Sequence, residues 1–211
     1  MLPDRTTEFP VPPAFSQTPS GFSRIAALVE RALLVLGILL LGWYGLAQLQ
    51  LAYDQAMASR ELEEISMPAP ANHDAPPVRL APGEVVGRVT IARVGVSAVV
   101  REGDDETILG RAVGHIPGTA LPGATGNAAL AGHRDTFFRG LRNIRKGDEV
   151  VVTTPAGDVH YVVRSTRIVD PSEVSVLAAT PGPVLTLVTC YPFNYIGAAP
   201  RRFIVHAEAQ R

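Results

Sequence analysis

The chain has a single cysteine, Cys190, in 211 residues. One thiol excludes an internal disulfide framework. It leaves three roles: a small buried hydrophobe, a reactive group, or a bond to another chain. Lysine is just as scarce. Lys146 stands alone, and positive charge otherwise rests on arginine. The formal net charge is −1, so no basic excess marks a nucleic-acid partner. No internal repeat is present. Hydrophobic residues make up 46% of the chain, enough for a packed core.

That hydrophobicity is unevenly spread. Residues 1–23 are polar and punctuated by Pro10, Pro12, Pro13 and Pro19, and read as a disordered tail. Residues 24–53 read as a transmembrane signal-anchor helix. No charge occurs from Ala32 to Ala52. At about 1.5 Å rise, roughly 20 helical residues cross the hydrocarbon core. A cleaved signal peptide usually has an apolar stretch of only about 7–15 residues. Arg24 and Arg31 precede the run, and Asp54, Glu61, Glu63 and Glu64 follow it. The positive-inside tendency then keeps the N-terminus cytoplasmic and the remainder extracytoplasmic. Residues 54–83 read as a stalk and linker. "DQAMASRELEEI" can continue the helix, and Pro68, Pro70, Pro76, Pro77 and Pro82 favour an extended spacer.

Residues 84–211 read as the folded domain. "VVGRVTIARV" alternates and is β-branched. "DDETILG" reads as a short helix capped by Asp104 or Asp105. "GNAALAGH" is a short apolar strand. "DEVVVTT" and "DVHYVVRSTRIV" flank a turn, a hairpin signal. "GPVLTLVTC" and "RRFIVHAE" are two further strands separated by a loop rich in proline and glycine. Short strands with regular turn punctuation imply a mainly β sandwich or barrel.

Cys190 ends an apolar strand, and Pro192 turns the chain out of the sheet. A strand end is where loops build a site. A nucleophilic thiol needs a base or cation nearby, because the thiolate attacks. His73 falls in the linker, His160 and His206 fall within strands, and His115 falls in a loop before a proline. His133 ends an apolar strand, after Gly132 and before a polar turn, as a positioned acid/base would. Arg201 and Arg202 open the strand after the Cys loop. Side chains alternate along a strand, so only one of the two can face the site.

These segments together resemble the sortase family. The resemblance rests on "TLVTC", on "RR" eleven and twelve residues after the cysteine, and on "GNAALAGHRD" upstream. "GHIPGTALPGATGN" extends it, and "TCYPFNYIGAAPRRFIV" is most similar to class D sortases. The resemblance implies a closed β-barrel of about eight strands with short helices. It implies Cys190 as nucleophile, His133 as acid/base and Arg202 as the essential arginine, since the family's basic-Arg-aromatic pattern falls on Arg201, Arg202 and Phe203. Thr189 matches a threonine that helps shape the oxyanion pocket. No metal or diffusible cofactor is implied.

The implied partners are secreted proteins carrying a C-terminal Leu-Pro-x-Thr-Gly/Ala-like sorting signal. An amine acceptor comes from cell-wall peptide, a lipid-linked precursor or a pilin, at the membrane and without nucleic acid. Tyr191, Phe193, Tyr195 and Ile196 either form an apolar wall beside the thiol or pack down on the barrel. The rival class is a membrane-tethered β-barrel binding module with an inert cysteine.

Overall fold

The computed structural model describes residues 21–65 and 80–210. The tail at 1–20 and most of the expected linker, 66–79, lie outside the described residues. Helix α1 runs from Gly21 to Ile65. Its stretch Ile25–Met57 is long and apolar enough to cross a membrane, and none of its most apolar window is buried by protein. The chain divides into two compact units at residues 48/49, within this helix.

The second unit contains a closed barrel of eight strands. They are β1 (Val85–Ile91), β2 (Val96–Glu102), β3 (Val113–His115), β4 (Asn127–Ala131), β5 (Glu149–Thr154), β6 (Gly157–Val169), β7 (Val184–Tyr191) and β8 (Arg201–Ala209). A one-turn helix, α2 (Glu106–Leu109), precedes β3. Its cap is Asp105, whose side chain accepts from the backbone N–H groups of Thr107 and Ile108. That satisfies two otherwise orphaned donors.

The spatial order around the barrel is β1-β2-β3-β4-β7-β8-β6-β5, with β5 closing onto β1. The β5–β6 hairpin forms where the sequence signals it, with Thr154 facing Gly157. Two pairings are parallel, β2 with β3 and β4 with β7. The second needs a long crossover, and the β5–β6 hairpin supplies it.

Alternation fills the interior. Val89 and Ile91 of β1, Leu185 and Leu187 of β7, and Val205 of β8 point into one buried core. Each such side chain contributes about 1.5–3 kcal/mol by leaving water. Tyr161 is also fully buried there, and its hydroxyl accepts a 2.8 Å hydrogen bond from the Gly123 N–H. Burial pushes its pKa above the usual phenol value.

His115 departs from the loop expectation. It ends β3 and is buried, with Nδ1 2.6 Å from Glu102 Oε2 and Nε2 2.9 Å from the Ala120 carbonyl. The three-residue strand is too short to show a periodicity in sequence.

Candidate active site

The site grows from three neighbouring strands. β7 lies between β4, parallel to it, and β8, antiparallel to it. Ala131 of β4 is the register partner of Val188, and the Gly132 N–H donates to the Val188 carbonyl at 3.1 Å. The ladder ends there, two residues before His133 on one chain and two before Cys190 on the other. On the other side, Cys190 is the register partner of Arg202. Cys190 and Arg202 therefore lie near the ends of β7 and β8, and His133 follows the end of the adjacent β4 by two residues.

Cys190 and Arg202 also share a face. Leu185 and Leu187 point into the core, so Cys190 has the opposite parity and lies on the outer face of the sheet. Arg202 has the parity opposite to core-facing Val205 and to Phe203, which packs against that core. Arg201 pairs instead with Tyr191, on the other face, and is exposed. Register thus separates the two arginines that sequence left adjacent. The Arg202 guanidinium donates to the carbonyls of Ala199 and Arg201 at 3.3 and 3.1 Å.

Close packing sets the His133 backbone. The His133 carbonyl accepts from the Phe138 N–H at 3.0 Å, and the Phe138 ring is fully buried. A Cβ on Gly132 would lie 2.8 Å from that ring. Glycine is therefore what lets the chain pass beneath Phe138. The His133 ring is partly exposed, with Nε2 3.4 Å from Glu106 Oε1 on α2. Glu106 was not singled out from sequence, because its segment signals only a helix cap.

Thr189 points to the core side. It is buried, and its hydroxyl donates to the Gly132 carbonyl at 2.7 Å. Its one hydroxyl proton is used there, so any part it plays in the site is exerted through the spacing of β4 and β7.

A second buried contact braces the outer face. Asn127 donates to the Val176 and Ala178 carbonyls at 3.0 and 3.2 Å and accepts from the Thr186 hydroxyl at 2.7 Å. This fastens the β6–β7 connection over the Cys190 side of β4 and β7.

The β7–β8 connection divides into two halves. The rings of Tyr191 and Phe193 pack at a centroid distance of 6.0 Å and lie 6.4 and 5.3 Å, respectively, from that of Phe203, and Phe193 and Phe203 rest on the core. Tyr195 and Ile196 project outward, 46% and 98% exposed. The packed-down reading therefore holds for the first half of the loop.

The other histidines take different places. His160 lies 2.8 Å from Glu149 on the β5–β6 hairpin, and His206 pairs with Thr186 further up β8. His73 lies outside the described residues. A cleft lined by Gln55, Gly83, Arg101, Thr107 and Arg111 shares no residue with the Cys190 face. Among the described residues, no group of three or more His, Cys, Asp or Glu side chains is arranged to hold a metal ion.

A half-buried thiol register-paired with an arginine, with a histidine just beyond the end of the other neighbouring strand, offers the residue types acyl transfer needs. These are a nucleophile, a proton carrier and a donor for an oxyanion.

Comparison with known proteins bears on the family and the fold. A sortase-domain profile matches residues 89–210. The chain is 34% identical to sortase D of Bacillus subtilis over 127 residues, which is 60% of this chain and 64% of that protein. It therefore spans slightly less than two thirds of that relative's length. Among solved structures, a Clostridium perfringens sortase D5 transpeptidase superposes with a TM-score of 0.65 at 26% identity, covering 75% of this chain and 99% of that one. Sortase C1 of Streptococcus suis superposes with a TM-score of 0.57 at 27% identity, over 61% and 74% of the two chains.

Proposed function

This chain belongs to the sortase family, whose profile covers more than half of it, and from that premise we propose that it is a membrane-anchored cysteine transpeptidase. The observation that carries the reading is the register. Cys190 is paired with Arg202 on one side, and on the other the β4–β7 ladder ends at the Ala131–Val188 pair, two residues short of His133 and of Cys190.

The substrate is a secreted protein with a C-terminal sorting signal of the Leu-Pro-x-Thr-Gly or Leu-Pro-x-Thr-Ala kind. The Cys190 thiolate attacks the threonine carbonyl carbon. The carbonyl electron pair moves to oxygen, and the Arg202 guanidinium turns from its loop carbonyls to that oxyanion. Protonated His133 gives its proton to the leaving amine as the C–N bond breaks. A thioester joins Cys190 to the threonine acyl group. A second amine then attacks the thioester, His133 takes its proton, and the C–S bond breaks to restore the thiolate. The product is a new amide. Water in place of the amine gives hydrolysis.

Helix α1 would anchor the protein once through the membrane, with Arg24 and Arg31 favouring a cytoplasmic N-terminus. The barrel then works at the outer face, where the amine comes from wall peptide, a lipid-linked precursor or a pilin.

The test uses the full chain in detergent. It is incubated with a panel of Leu-Pro-x-Thr-Gly/Ala peptides and an amine, and the intact mass is measured against Cys190→Ala. An adduct on Cys190 that passes to the amine supports the transpeptidase. No adduct, with Cys190 also unreactive to iodoacetamide, overturns it in favour of a binding module with an inert thiol.

A further inference from the structure

Arg134 immediately follows His133, yet its side chain is only 7% exposed, and nothing in the chemistry above uses it. Its guanidinium reaches across to the β7–β8 connection. One terminal nitrogen donates to the Pro192 carbonyl at 3.0 Å. The other donates to the Tyr195 carbonyl at 2.6 Å and the Gly197 carbonyl at 3.1 Å. Its Cζ also lies 5.9 Å from the centre of the Tyr195 ring. The remaining nitrogen, Nε, faces Asp135 at 3.5 Å.

Three charge-assisted hydrogen bonds from one planar fork define the loop's position more tightly than packing alone. The connectivity matters as much as the count. Arg134 is covalently next to His133. Pro192 is two residues after Cys190. The fork therefore closes a short bridge between the strand end that carries the imidazole and the loop that leaves the thiol. It is a second tie, beyond the β4–β7 ladder.

We propose that Arg134 is a positioning residue for the acyl-transfer site, holding the β7–β8 loop by the Pro192, Tyr195 and Gly197 carbonyls so that Cys190 and His133 keep their working separation. This rests on the transpeptidase reading for its kinetic consequence. The geometric coupling to Cys190 does not depend on it.

The test compares the full chain in detergent with Arg134→Met, Arg134→Lys and, from the loop side, Gly197→Ala. Methionine keeps the apolar stem and removes every donor. Gly197 has φ +99°, and the space a Cβ would occupy is open. Alanine there strains the loop without touching the core. Four quantities are read: kcat and KM on a turned-over sorting peptide, the rate of Cys190 alkylation by iodoacetamide, protease nicking between Pro192 and Pro200, and the melting temperature.

Misplacement of reacting groups by about 1 Å costs up to about 100-fold in rate. Arg134→Met is expected to lower kcat by about 10- to 100-fold with KM within about threefold. Loop nicking should rise, the alkylation rate should change by at least about fivefold, and lysine should restore part of kcat. Gly197→Ala should lower kcat by a smaller factor. The double variant should be no worse than Arg134→Met, because both act through one loop.

A folded Arg134→Met with wild-type kcat and alkylation rate overturns the proposal, as does full additivity with Gly197→Ala. If Arg134→Met does not fold, Gly197→Ala decides by the same kinetic criterion. If the wild type turns over no peptide, the sorting-peptide assignment fails. The alkylation rates then still decide whether Arg134 sets the surroundings of Cys190.

Discussion

Cys190 and Arg202 are register partners across the β7–β8 ladder, on the outer face of the barrel, while Arg201 is paired with Tyr191 on the opposite face. The distinction between two adjacent arginines is thus a matter of parity. Arg202→Ala is expected to lower kcat/KM by about 100- to 1,000-fold, the usual cost of losing an oxyanion donor. Arg201→Ala should stay within about threefold, as an exposed substitution does. A fluorescence-quenched sorting peptide reads both. Equal losses, or a reversed order, would remove Arg202 from its assigned role.

Gly132 passes beneath the Phe138 ring with no room for a methyl group. Gly132→Ala should destabilise the barrel by about 1–3 kcal/mol through overpacking. It should also lower kcat, because His133 is the next residue. The companion Gly132→Ala/Phe138→Leu makes space for the methyl group and should recover part of both losses. Thermal unfolding and peptide turnover measure the two effects.

The buried Thr189 hydroxyl donates to the Gly132 carbonyl and ties β7 to β4 behind the site. Thr189→Val keeps the shape and leaves that carbonyl without its partner, at a cost of about 1–3 kcal/mol. Thr189→Ser retains the hydroxyl and should cost less. If valine melts no earlier than serine, the hydrogen bond does not hold the strand ends together.

Glu106 lies near the His133 ring but is itself 86% exposed on the side chain. Water and salt screen such a pair. Glu106→Gln should change kcat/KM by less than about threefold at physiological ionic strength. A larger loss that persists in high salt would make Glu106 part of the proton-transfer apparatus.

Acid stability has a source away from the site. The Arg93 guanidinium bonds the Asp148 carboxylate, which also accepts from the Arg145 N–H at 2.7 Å. These contacts hold Asp148 below its usual carboxylate range, with the Arg93 hydrogen bond the largest cause. A depressed carboxylate contributes stability above its unfolded value, about 3.9, and loses it as pH falls through the lower folded value. Asp148→Asn should therefore melt earlier than wild type at neutral pH. The two melting curves should converge as the pH drops below about 4. A gap independent of pH would assign the loss to packing rather than ionisation.

Much of this was legible before folding was considered. Alternation in "VVGRVTI" and the β-branched, apolar runs "EVVVTT" and "VLTLVTC" specify strands, because such side chains fit a pleated surface buried on one face or on both. The uncharged stretch Ala32–Ala52 specifies a helix able to cross a membrane, because only a long apolar helix buries its backbone polar groups in lipid. Order along the chain singled out Cys190, His133 and the arginine pair.

Other features belong to contacts that leave no periodic trace. His115 sits in a three-residue strand whose identity comes from pairing with β2 and β4. The β7–β8 loop splits into a packed aromatic half and an exposed half because Phe203, ten residues beyond Phe193, is where the first half finds its partner. Arg134 binds backbone carbonyls, which every residue type carries, so no side-chain pattern announces its targets.

The sequence by itself determined the elements and the chemical groups available, since both follow from local periodicity and residue type. Tertiary structure alone decided which groups meet. The parallel alignment of β4 with β7 and the antiparallel register of β7 with β8 are pairings between distant segments. A slip of one residue in either would turn Cys190 toward a different set of neighbours.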